Sequence, residues 1–251
     1  MSVRLFLAPD FQSNMSSRGA AVISFDEAWD RWRGEVVDEN RMRDVERIEF
    51  GRTTGFLKRF RGIQTKNHFR LRWQRPRCHS QAGREVAIMH ALQNEGFRPP
   101  RVLAWGQELR GSREQRSLLL TEAFVGRALS HCSHATTLAQ LPRIANLLGR
   151  AVRSGIFLPD LGLDHVFLLE DDSLGLIDFH NARRHPRPTS RELGRALVRF
   201  FTSPGADRIL GERDEFASTY LEAAERPRAW RATQRLFRQR LPDIAAIADE
   251  E

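Results

Sequence analysis

The chain has 251 residues, 41% hydrophobic and 29% charged, a globular composition at a size that needs no disulfide or metal staple. No apolar run approaches the roughly 20 residues of a membrane span, residues 3–8 are too short for a secretory h-region, and Cys78 and Cys132 have no CxxC partners, which excludes a zinc ribbon or disulfide framework. The formal charge of +8 implies an anionic partner: phosphorylated metabolites, an acidic membrane surface or nucleic acid.

Of the 40 basic residues only Lys58 and Lys66 are lysines. A chain that otherwise uses arginine keeps lysine where a compact, rotatable ammonium is needed. In chain order, Ser24 and Glu27 form a capping box that predicts a helix over residues 25–37. Residues 45–50 and 55–60 then read as a hairpin about the turn at 51–54, with Lys58 inside its second strand. Residues 61–79 form a basic connector in which Phe69, Leu71 and Trp73 alternate with arginines. It suits phosphates or lipid head groups, or is a solvated loop. A helix starting at Ser80 carries Val86, Met89 and Leu92, with Glu85 beside that stripe, and Gly96 and Pro99-Pro100 stop it.

Residues 101–106 and 117–124 are apolar runs of strand length around a polar turn. After residue 125 helical spacing takes over through Leu138, Leu141, Ile144, Leu148 and Val152. Short strands at 166–169 and 174–179 follow, and residues beyond about 189 read as helices punctuated by Pro204, Pro227 and Pro242. The division expected is a β-rich unit at 1–125 and a helical one at 126–251.

Three carboxylates fall at the edges of the small hairpin at 166–179: Asp160 before it, Asp164 beside its first strand and Asp178 at the end of its second. An apolar strand ending in an ionised Asp178 calls for a compensating cation or donor. Acids at one end of a hairpin suit metal binding or proton acceptance; singly, each also reads as a turn or helix-capping residue.

As an ordered set these residues resemble the protein-kinase-like fold, an α+β fold with a small β-rich N-lobe and a helical C-lobe, in which a strand lysine pairs with a helix glutamate and two aspartates serve acceptor and metal. A closer resemblance is to the bacterial lipopolysaccharide core kinases, which phosphorylate heptose or 3-deoxy-D-manno-octulosonic acid (Kdo). It rests on Phe56-Leu-Lys-Arg-Phe60, Arg84-Glu85, Leu119-Leu-Thr-Glu122, Asp160 followed by His165-Val-Phe-Leu-Leu169, and Ile177-Asp-Phe-His-Asn-Ala-Arg183, over roughly residues 45–201.

The resemblance implies ATP and Mg²⁺. It makes Asp160 and Lys58 the catalytic residues, giving Lys58 with Glu85 to the α/β-phosphates, Asp160 to the acceptor hydroxyl, and Asp178 with His165 or Asp164 to the metal. Glu122 and Phe124 fall in the stretch that resembles an adenine-binding hinge. The implied partner is a lipopolysaccharide core sugar or related glycolipid at an anionic membrane surface, placing a cytoplasmic enzyme peripherally on the inner face; nucleic acid is not expected.

The sequence departs from the kinase pattern in three places. It has no GxGxxG before residue 45, it carries Leu158-Pro159-Asp160 in place of HRD, and it has histidine where a hard oxygen ligand is usual. Three alternatives stay open: a pseudokinase, a basic nucleic-acid-binding protein, and a kinase of soluble small molecules.

Overall fold

The computed structural model describes residues 1–16, 23–51, 53–62 and 80–242; most of the basic connector, with Lys66, lies outside the described residues. The chain divides into two units, one comprising Met1–Ala87 and Pro100–Ala123, the other Ile88–Pro99 and Phe124–Glu251.

In the first unit, β1 (Ser2–Leu7), β2 (Glu35–Asn40), β3 (Arg43–Phe50), β4 (Thr53–Phe60), β5 (Val102–Arg110) and β6 (Arg113–Glu122) form an antiparallel sheet in the order β1-β5-β6-β4-β3-β2. Side chains alternate between faces along a strand, so Leu57 and Arg59 of β4 lie on one face and Lys58 on the other. Leu57 joins Ile48, Leu103, Leu118 and Leu120 beneath α1 (Pro9–Ser16) and α2 (Phe25–Arg31), which contribute Phe11, Phe25 and Ala28. Arg59 is buried on this face, where it donates to the Glu46 carboxylate and the Trp32 carbonyl and has Asp44 3.5 Å away. Burial pulls its pKa down, against the neighbouring Glu46 charge that holds it up.

On the other face Lys58 stands opposite Val45 and Leu119, with Trp105 next in the row. The helix α3 (Gln81–Asn94) begins over this face, its Gly83 close against Trp105. Three side chains satisfy its first N–H groups: Glu114 accepts from Gln81 (3.1 Å), Ser117 from Ala82 (3.2 Å) and Ser80 from Gly83 (3.1 Å).

Three expectations for this unit need correction. The helix that starts at the Ser24–Glu27 capping box stops at Arg31 rather than 37, because Gly34 is drawn onto the sheet: its N–H donates to Glu46 (2.8 Å), and a Cβ there would collide with the Arg47 carbonyl. Residues 3–8, weighed only as a leader, lie mostly in the edge strand β1. The polar stretch at 107–116 is strand up to Arg110 and again from Arg113, since its buried polar groups are paired with Ser80, Ser117 and Arg116.

In the second unit, α4 (His134–Arg153) is capped by Ser133, which accepts from the Thr136 N–H. Then come β8 (Ile156–Phe157), a 3₁₀ turn at Leu163–His165, β9 (Val166–Leu169), β10 (Leu174–Leu176) and β11 (Arg183–Arg184). The strand β9 pairs with β10 and with β7 (Gly126–Ala128), while β11 pairs with β8. The expected strand at 174–179 ends at Leu176: Asp178 has φ +62°, outside the extended region and tolerated by aspartate better than by most residues. The helices α5 (Ser190–Phe201), α6 (Arg213–Ala223) and α7 (Trp230–Arg240) share an aromatic cluster of Phe200, Phe201, Phe216 and Phe237. Among the described residues no helix is long and apolar enough to cross a membrane.

Candidate active site

In the first unit the Nζ of Lys58 lies 3.1 Å from Oε2 of Glu85, and the two side chains are 14% and 0% exposed. The strand places the ammonium on the face that α3 covers, and the helix delivers the glutamate to it. The other glutamate oxygen is buried without a hydrogen-bond partner among the described residues. Lysine is therefore the charge that makes a buried carboxylate tolerable. An ammonium has three donors, and Glu85 takes one of them.

In the second unit the chain from 160 to 181 folds three aspartates into one neighbourhood. Asn181 donates through Nδ2 to Oδ2 of Asp160 and is 2.8 Å from Nε2 of His180, whose Nδ1 is 2.6 Å from Oδ1 of Asp178. Oδ2 of Asp178 faces Nε2 of His165 at 4.0 Å, and Asp164 faces the same nitrogen at 3.5 Å. His165 accepts the Gly162 N–H at Nδ1 (3.3 Å), so the proton of a neutral ring sits on Nε2, toward the carboxylates. As the residues stand, His165 offers a hydrogen and not a lone pair. The oxygens of Asp178 and Asp164 are the groups suited to a hard cation.

Among the described residues no group of three or more His, Cys, Asp or Glu side chains could by itself hold a metal. That does not exclude Mg²⁺, which is ordinarily held by one or two carboxylates together with water and phosphate oxygens. Oδ1 of Asp164, buried and unpartnered among the described residues, fits such an ion better than it fits a resting carboxylate.

The loop that follows Asp178 is tied down by one carboxylate. Glu192 accepts from Arg183 (2.7 Å), lies 3.2 Å from Nε2 of His185, and takes both the N–H (2.8 Å) and the hydroxyl (2.9 Å) of Thr189. The Thr189 N–H, more than any other group, holds the Glu192 carboxyl below the usual carboxylate range. Thr189 and Glu192 form a capping box for α5, so one side chain both starts the helix and fixes the segment before it.

The hinge-like residues fall in different units. The Glu122 N–H donates to the Arg101 carbonyl and the Ala123 N–H to the Thr54 carbonyl, each at 2.9 Å; Glu122 ends β6 and Ala123 follows it directly. Phe124 packs on Phe167, ring centroids 5.6 Å apart, and Gly175 leaves room for it, since a Cβ there would meet the ring at 2.8 Å. Sequence reasoning missed His180, Asn181 and Glu192. The first two stand inside the Ile177–Arg183 motif it quoted, where alternating donors and acceptors beside Asp178 were the available signal.

The model of the lipopolysaccharide kinase (Kdo/WaaP) family matches residues 27–220. Among solved structures the chain resembles that of WaaP in complex with acyl carrier protein, with a TM-score of 0.64 at 20% identity, covering 93% of this chain and 99% of that one; the likeness extends to the fold. No curated protein matches the sequence.

Proposed function

The chain belongs to the lipopolysaccharide kinase (Kdo/WaaP) family, and from that premise we propose that it transfers the γ-phosphate of ATP to a hydroxyl of a heptose or Kdo sugar in the lipopolysaccharide inner core. The observation that carries the reading beyond family membership is the Lys58–Glu85 pair, a buried carboxylate holding the ammonium of one of the chain's two lysines.

In this reading Lys58, oriented by Glu85, holds the α/β-phosphates as a point charge. Asp178 and Asp164 would hold Mg²⁺, which neutralises charge on the phosphates when bound. Asp160 orients the sugar hydroxyl and accepts its proton as the new O–P bond forms and the bond from the γ-phosphorus to the β–γ bridging oxygen breaks, releasing ADP. Asn181 keeps one Asp160 oxygen occupied and so directs the other at the acceptor. Such catalysis is positioning and charge stabilisation, because the transferred phosphoryl group passes through a loose transition state. Glu122 and Phe124 are assigned to the adenine end of ATP.

Transfer of labelled γ-phosphate from ATP to core glycolipid lacking that phosphate tests the proposal. The wild-type protein labels the glycolipid, and Asp160→Ala slows labelling by about 10²- to 10⁴-fold, the scale of a positioned acid–base group. Equal rates would remove Asp160 from the mechanism, and absence of labelling by the wild type would favour a pseudokinase.

A further inference from the structure

We propose that His180 and Asn181 are positioning residues, forming a hydrogen-bond bridge of fixed polarity that sets Asp178 and Asp160 relative to each other. The proposal rests on the functional reading above only in giving those two carboxylates their catalytic roles.

The polarity follows from chemistry, working inward from both ends. An ionised carboxylate can only accept hydrogen bonds. The atom of Asn181 that meets Asp160 must therefore be its amide nitrogen. The same nitrogen carries a second hydrogen, and it lies 2.8 Å from Nε2 of His180, so Nε2 must present its lone pair. In a neutral imidazole the proton then sits on Nδ1, the atom 2.6 Å from Oδ1 of Asp178, which again can only accept. Every donor in the chain Asp178–His180–Asn181–Asp160 meets an acceptor, and reversing any one link would bring two donors or two acceptors together. An amide does not relay protons, so the bridge holds geometry rather than conducting charge.

The local backbone gives the bridge something to hold. Asp178 sits at φ +62°, a conformation that persists when its surroundings determine it. The bridge fastens that residue to Asp160, 18 positions earlier in the chain, with side chains only partly exposed. One carboxylate is assigned to the metal and the other to the acceptor hydroxyl, and a shift of about 1 Å between such groups costs on the order of 10²-fold in rate.

The test has two arms. In nucleotide-free, metal-free protein with ¹⁵N-labelled histidine, long-range ¹H–¹⁵N correlation, assigned among the eight histidines by the signal lost in His180→Gln, should show His180 protonated on Nδ1. Asn181→Leu should then shift its Nε2 resonance toward that of a ring nitrogen without a donor. An Nε2-protonated ring, or an Nε2 resonance indifferent to Asn181→Leu, overturns the bridge.

In the phosphate-transfer assay, His180→Gln offers an amide donor at one end and an acceptor at the other, and should stay within about tenfold of wild type. His180→Leu fills similar space with neither and should lose about 10²-fold in kcat with little change in KM for Mg·ATP. Equal rates for the two variants would make the residue a spacer and overturn the proposal. A wild-type protein that transfers no phosphate would sink the functional reading instead, and the tautomer arm would still decide the bridge.

Discussion

Glu85 is fully buried and the Lys58 side chain that pairs with it is 14% exposed, so removing the lysine alone strands the glutamate charge in the interior. Lys58→Met should destabilise the protein by about 3 kcal/mol or more, and adding Glu85→Gln should restore much of that loss; denaturant unfolding of both variants measures it. A second buried acid sets a pH dependence. Burial pushes the Glu114 carboxyl up to about 7, against the lowering effect of its bonds from Ser117 and the Gln81 N–H. Its folded value lies above its unfolded one, so stability is undiminished below about pH 4.5 and falls as pH rises toward 7, by about 3 kcal/mol in all. Unfolding of Glu114→Gln at pH 5 and pH 8 should show the variant gaining on wild type only at the higher pH; the same difference at both would contradict it. The Lys58–Glu85 pair was legible in the sequence because lysine is rare and an acid stood beside a helical stripe. Glu114 was not, because its role depends on which helix N-terminus the fold carries to it.

At the scale of elements, periodicity located most strands and helices but not all of their ends. The capping box fixed where α2 starts, a local matter of side chain and backbone. Its end depends on Gly34 meeting Arg47, a contact no local pattern contains. The β5–β6 hairpin outran its apolar stretches because partners elsewhere in the fold satisfy its polar residues. The three aspartates were legible as a set, whereas the clamp on the loop after Asp178 was not, since Glu192 reads as an ordinary capping residue. Glu192→Ala should cost about 1 kcal/mol as a lost cap and raise amide exchange over residues 183–189. Because the folded pKa of Glu192 is depressed, its contribution is present at neutral pH and fades as pH drops below the usual carboxylate range. Unchanged exchange in that segment would show that Glu192 caps α5 and nothing more.

At the scale of the whole molecule, the sequence carried the basic character, and the family match fits the expected fold class. The helix α3 escaped the simple division at residue 125, since its second half groups with the second unit. A net charge of +8 suits an acceptor embedded among anionic lipids, each arginine near such a surface adding about 1 kcal/mol. Co-sedimentation with vesicles containing anionic lipid should be strong at low salt and weak at high salt; no binding at either would leave the charge without a membrane role.

The most direct test of the account is calorimetric titration with Mg·ATP. The wild-type protein should bind, while the folded Lys58→Met/Glu85→Gln variant and Asp178→Asn should each bind at least about tenfold more weakly, as expected for loss of a charge-assisted contact. Binding of wild-type strength by both folded variants would contradict the assignment of the nucleotide to these residues.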